Sequence, residues 1–100
     1  MSLLLNAVND HEWVLQGPLN VETIRRIWRK GHHLLDKTSA KQVTLNLQDL
    51  THSDSASVAL LIDWLRYANA KGKTLRLNHV PQKMQDLIRL SNLQNILVYE

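Results

Sequence analysis

The sequence contains no cysteine. Disulfides and thiolate metal sites are therefore excluded, and a reducing compartment suits the chain. It has only three glycines, all isolated, and no Gly-x-x-x-x-Gly-Lys run, so a P-loop nucleotide site is excluded. No window approaches the ~18 apolar residues that a membrane span needs. The opening stretch, MSLLLNAVNDHEW, carries an apolar run of only Leu3-Leu4-Leu5, with no basic segment and no small-residue cleavage site. It does not read as a secretory signal, and a cytoplasmic location without membrane insertion is expected. Charge of one sign is scarce as well. The formal net charge is +3, and acids are interspersed among small basic groups such as Arg25-Arg26 with Arg29-Lys30. Nucleic-acid binding is not expected from so mild a surplus, while attraction to an acidic protein face is compatible with it.

What is present suits one small domain spanning residues 1–100. Apolar content of 44% is ordinary for a globular chain, and one core of this size implies a stability of ~5–10 kcal/mol. No internal repeat, low-complexity segment or interdomain linker is visible.

Hydrophobic periodicity places the elements. Residues 3–8 and 11–16 read as two short strands, with turn residues from Asn6 to Asp10 between them and Gly17-Pro18 after them, which predicts a hairpin. Residues 21–36 read as a helix, with Asn20 as N-cap and Thr23 at the capping-box position. Its apolar stripe is Ile24, Ile27, Trp28, Leu34 and Leu35, and Gly31 weakens its middle by ~1 kcal/mol relative to Ala. Strict alternation at 42–47 predicts a strand. Residues 57–70 form a helix ended by Lys71-Gly72-Lys73, 74–78 a strand, 82–91 a short helix after Pro81, and 96–99 a last short strand. This order implies an α/β fold, with a largely parallel or mixed sheet and helices packed on it.

The segment Asp54-Ser55-Ala56-Ser57 stands at the mouth of the 57–70 helix. Ser55 can cap that helix by accepting from the amide of Ser57 or Val58. A helix N-terminus is equally a ready anion site, so Ser55 can also serve a regulatory or docking surface. Further along, Val58, Leu61, Ile62, Leu65 and Ala68 mark the core face. Leu60, Trp64 and Tyr67 form a second stripe. It either packs beneath a neighbouring element or offers aromatic anchors to a partner.

Catalytic chemistry is weakly supported. The five histidines lack metal-ligand spacing, and adjacent His32 and His33 project about 100° apart on a helix. Ser55, His52 and Asp54 or Asp49 contain the residue types of a hydrolytic triad, but no oxyanion glycine turn accompanies them. No enzymatic activity, metal or cofactor is expected.

The strand Val43-Thr44-Leu45-Asn46-Leu47, then Leu50, then Asp54-Ser55-Ala56-Ser57-Val58-Ala59-Leu60-Leu61, then Ala70-Lys71-Gly72-Lys73 with Leu75-Arg76-Leu77, resembles the STAS domain family. Residues 80–93 are similar to the family's last helices, so the resemblance covers essentially the whole chain. It implies a STAS-like fold, with a mostly parallel sheet of about four to five strands and an N-terminal hairpin.

Anti-sigma-factor antagonists of the family usually carry Asp-Ser-Ser-Gly followed by Leu-Gly. Here Ala56, Ser57 and Ala59 depart from that pattern. The chain is more similar to the short stand-alone branch that accompanies phospholipid-transport ABC systems. That branch implies a non-catalytic subunit that binds the transporter's ATPase, in complex with a membrane permease, and stabilises or activates it. Asp54, Ser55, Ser57, Leu60, Trp64 and Tyr67 are the expected partner-binding or regulatory positions. The alternative is an anti-sigma antagonist regulated by phosphorylation of Ser55. Self-association in the absence of the partner is left open.

Overall fold

Burial alternates along one strand, and that strand organises the molecule. In the computed structural model, which describes residues 4–90, strand β2 (Glu12–Pro18) buries Trp13, Leu15 and Gly17, while its intervening residues stay partly exposed. Strand β1 (Leu4–Asn9) pairs antiparallel with it, setting Leu5 opposite Leu15 and Ala7 opposite Trp13. Strand β3 (Gln42–Asn46) lies parallel on the other side, with Leu45 opposite Trp13. Strand β5 (Thr74–Asn78) continues the parallel ladder, pairing Val43 with Leu75 and Leu45 with Leu77. The sheet order is β1-β2-β3-β5. The expected α/β class, mixed mostly parallel sheet and N-terminal hairpin are all present.

Two details differ from the sequence reading. A fifth strand, β4 (Leu50–His52), pairs parallel with Gly17 and Pro18 at the end of β2. Three residues of mostly exposed sequence carry no readable alternation. The strand exists because a remote partner completes it: the Gly17 amide donates to the Asp49 carbonyl at 3.1 Å and the Leu19 amide to the His52 carbonyl at 2.9 Å. Nor does Gly17-Pro18 end β2. Gly17 adopts φ 102°, which glycine tolerates, and Pro18 is accommodated as the strand's last residue.

Helix α1 (Val21–Lys37) starts as predicted. The Asn20 side chain accepts from the amides of Glu22 and Thr23, and the Thr23 hydroxyl accepts from the Asn20 amide at 3.0 Å. Its buried face is Ile24, Ile27, Gly31 and Leu35. Helix α2 (Ser55–Ala70) is central and packs against α1, β5 and α3 (Gln82–Leu90). It therefore buries Ser57, Val58, Leu60, Leu61, Trp64, Leu65 and Ala68, an arc of about 160°, wider than the stripe of a helix covered on one side only. Trp64 meets Trp13 edge-to-face across the core, with ring centroids 6.5 Å apart and planes at 89°. Each such fully buried large side chain contributes roughly 1.5–3 kcal/mol of transfer free energy. The strand expected at 96–99 lies outside the described residues.

Candidate functional site at the start of α2

The parallel strands deliver the β2–α1 and β4–α2 connections to one end of the sheet, where the two helix N-termini come together. The start of α2 is built by Asp54. In extended backbone, its Oδ1 accepts from the Ala56 amide at 3.0 Å, and its own amide donates to Ser57 Oγ at 2.9 Å. Ser57 Oγ then donates to the Leu19 carbonyl at 3.1 Å. A reciprocal cap thus also bolts α2 to the loop that leads into α1.

Two expectations are corrected here. Ser55 is not the cap: it is the first helical residue, because the Asp54 carboxylate satisfies the free amides and complements the positive helix end. Its side chain is exposed, and its hydroxyl makes no hydrogen bond among the described residues. Ser57, expected as a contact, is fully buried, since both roles of its hydroxyl are taken by backbone. That commitment also removes it as a nucleophile.

Beside Asp54 lies a polar rim with one apolar point. Asn20, Val21, Glu22 and Asp54 line a shallow depression of about 370 Å³, and Val21 is 58% exposed. Val21 and Glu22 were not singled out from the sequence. The available signal was their place as the first two residues after a recognised N-cap. His52 Nε2 stands 3.7 Å from Asp54 Oδ2 at the edge of this rim.

Leu60 and Trp64 are not surface residues. Both are fully buried, and α1 covers Trp64, whose ring lies against Gly31. Trp64 Nε1 donates to the Trp28 carbonyl at 3.1 Å. Their burial leaves them a supporting role beneath the surface.

Tyr67 is half-buried and belongs to a different surface. It follows Ser55 by twelve residues, about 18 Å along the helix axis and about 120° around it. Its hydroxyl donates to Asp36 Oδ1 at 2.8 Å, and its ring stacks on His32 with centroids 4.0 Å apart. Lys71 sits 5.4 Å over the ring and 3.4 Å from Asp36. Asp63 Oδ2 accepts from Trp28 Nε1 at 2.7 Å and meets His32 Nε2 at 2.7 Å. The Tyr67 hydroxyl, then Lys71, hold the Asp36 carboxyl below its usual range. Asp36 in turn raises the Tyr67 phenol and the Lys71 ammonium.

This seam joins two rows of period four, Trp28-His32-Asp36 on α1 and Asp63-Tyr67-Lys71 on α2. The matched spacing was legible in the sequence; that the rows face each other was not. Among the described residues no group of side chains could hold a metal ion.

Sequence and structure comparisons agree with this architecture. The family profile described as "Mlab, STAS domain" matches residues 7–99. The chain belongs to this STAS family. It is 36% identical over 83 residues to the intermembrane phospholipid transport system binding protein MlaB of Haemophilus influenzae, covering 81% of this chain and 79% of that one. It superposes on a chain of the Acinetobacter MlaFEDB complex in an ATP-bound conformation with a TM-score of 0.83 and 26% identity, covering 97% of this chain and 100% of that chain. The unphosphorylated anti-sigma factor antagonist SpoIIAA aligns with a TM-score of 0.76 over 99% of this chain and 88% of that chain. At 18% identity, that likeness is one of fold. In this STAS domain the exposed Ser55 and the rim beside it form the surface that the α2 cap presents.

Proposed function

We propose that the chain is a non-catalytic accessory subunit of a phospholipid-transporting ABC system. It binds the ATPase subunit, which is held to a membrane permease, and stabilises or activates it. The observation that carries the reading is the exposed Ser55, next in sequence to the Asp54 that lines a depression with Val21 and Glu22, on a domain of the MlaB-type STAS family. Support comes from the phospholipid-transport name of the Haemophilus relative and from the Acinetobacter assembly. Asp54 and Ser55 form the docking rim with Val21 and Glu22. Ser57, Leu60 and Trp64 hold that rim in place from below. Tyr67 belongs to the α1–α2 seam, a second exposed strip on the same helix pair.

No helix among the described residues is long and apolar enough to cross a membrane, so the subunit would reach the inner membrane through its partner. It performs no chemistry; the partner hydrolyses ATP. Small, exposed groups at a helix start let a partner approach closely, and a single apolar anchor beside them supplies burial.

The test is co-purification from cytoplasm and solubilised membrane, comparing wild type with Ser55→Glu. Glu at the first helical position is compatible with the helix dipole, so the variant keeps its fold. It also adds negative charge to a rim that already holds Asp54 and Glu22. An ABC ATPase recovered with wild type and depleted with Ser55→Glu is the expected result. Recovery of an anti-sigma kinase, together with a phosphorylated chain, would overturn the reading in favour of transcriptional control.

A further inference from the structure

A second cavity, of about 200 Å³, lies between β4 and the start of α3 and is lined by Leu50, Thr51, His52, Ser53, Pro81 and Lys83. Only His52, at the edge of the docking rim, adjoins both surfaces. Ser53 is 4% exposed, yet its hydroxyl has no hydrogen-bond partner among the described residues. No sealed side-chain oxygen or nitrogen among the described residues lacks a partner. The Ser53 hydroxyl is therefore not enclosed in the core, and the opening available to it is the cavity that its residue lines. A hydroxyl without a protein partner that opens into a cavity is available to an occupant of that cavity.

The other walls say what kind of occupant. Lys83 makes no ion pair among the described residues. The one acid three residues further along its helix, Asp86, is engaged by Gln82 Nε2 at 3.0 Å and by Arg89 at 3.3 Å. His52 brings an imidazole, with Asp54 3.7 Å from its Nε2, and Thr51 brings a second hydroxyl. Helix α3 begins at Gln82, between Pro81 and Lys83, which both line the cavity, so its first-turn amides lie next to it. No carboxylate lines the cavity, and no Trp or Tyr lines it to stack on a base.

We infer that this cavity binds a phosphoryl group, held by Lys83, the Ser53 and Thr51 hydroxyls and the α3 amides. An ammonium, hydroxyls and helix-end amides are the donor set that a tetrahedral oxyanion takes. The volume accommodates that group. Inorganic phosphate and the exposed headgroup of a phosphomonoester lipid share this chemistry. The inference does not rest on the docking reading, because it uses different residues.

The experiment is an amide NMR titration of the full chain with inorganic phosphate at constant ionic strength, with chloride as control. It is paired with co-sedimentation on phosphatidylcholine vesicles with and without phosphatidic acid. For free phosphate, saturable shifts are expected at Thr51, His52, Ser53, Gln82 and Lys83, weakened about tenfold by Lys83→Gln, the loss of one charge-assisted hydrogen bond. For a headgroup, phosphate leaves those amides unmoved, while sedimentation depends on phosphatidic acid and is lost in Lys83→Gln. Lys83 is exposed, so that variant keeps its fold. A response to neither probe, or one reproduced by chloride or unchanged in Lys83→Gln, overturns the inference.

Discussion

Gly31 and Trp64 claim the same space. A Cβ placed on Gly31 would stand 2.2 Å from Cε2 of the Trp64 indole, so the absence of a side chain on α1 is what allows the largest side chain of α2 to be buried. Helix propensity alone would favour Gly31→Ala by ~1 kcal/mol. The contact reverses the sign: Gly31→Ala should lower stability by about 1–3 kcal/mol, through overpacking against a ring that cannot yield. Urea unfolding measures it. In a Trp64→Leu background the same substitution should become neutral or stabilising, and additivity of the two changes would contradict the shared space.

Truncating the buried stripe should unfold rather than merely unbind. Trp64→Ala should remove about 3–5 kcal/mol and Leu60→Ala about 2–5 kcal/mol. Each is a large share of what a domain this size possesses. The check is urea midpoint alongside partner capture. If Trp64→Ala kept a wild-type midpoint yet lost its partner, the burial described above would be wrong.

The two serines at the start of α2 should separate cleanly. Ser57→Ala breaks the bond from the Asp54 amide and leaves the Leu19 carbonyl without its side-chain donor, so about 1–3 kcal/mol should be lost. Ser55→Ala, with no partner to lose, should stay within about 0.5 kcal/mol of wild type. Thermal midpoints of the two variants, measured side by side, decide this.

The α1–α2 seam predicts two pH limits. Asp36 is lowered from 3.8 in the fold, so its contribution is complete above the unfolded value and is lost as pH falls through the folded one. Tyr67 is raised from 10.0, so its contribution is complete below the unfolded value and is lost as pH rises through the folded one. Stability should therefore sag at both extremes. Tyr67→Phe should flatten the alkaline limb, and should weaken the acid limb because Asp36 loses the strongest group lowering it. Denaturation midpoints across pH for wild type and Tyr67→Phe test both limbs. An unchanged alkaline limb would remove Tyr67 from the account.

Much of the architecture was legible in the order of residues. Asn20 with Thr23 announced the start of α1, and the alternation Val43, Leu45, Leu47 announced β3. The run Thr74–Asn78 announced β5 with its observed bounds. Each signal is local, because a cap or an alternation lies within a few residues of the backbone it directs. The Asp54-Ser55-Ala56-Ser57 segment was likewise found as the helix mouth, although the capping role went to Asp54 and the bolt to Ser57. Propensity ranks Asp and Ser alike at that position; the nearby Leu19 carbonyl broke the tie.

By itself, the amino-acid sequence determined the order of the helices and of every described strand but β4, the family, and the absence of thiol and P-loop chemistry. Only the tertiary structure decided which apolar residues of α2 face water. Periodicity specifies the angle at which Leu60, Trp64 and Tyr67 leave the helix, not what stands at that angle. Helix α1, more than twenty residues away along the chain, covers Trp64 and leaves Tyr67 at the edge, while Leu60 is buried as well. The same crossing turned Gly31 from a weak point of one helix into the space that the other requires.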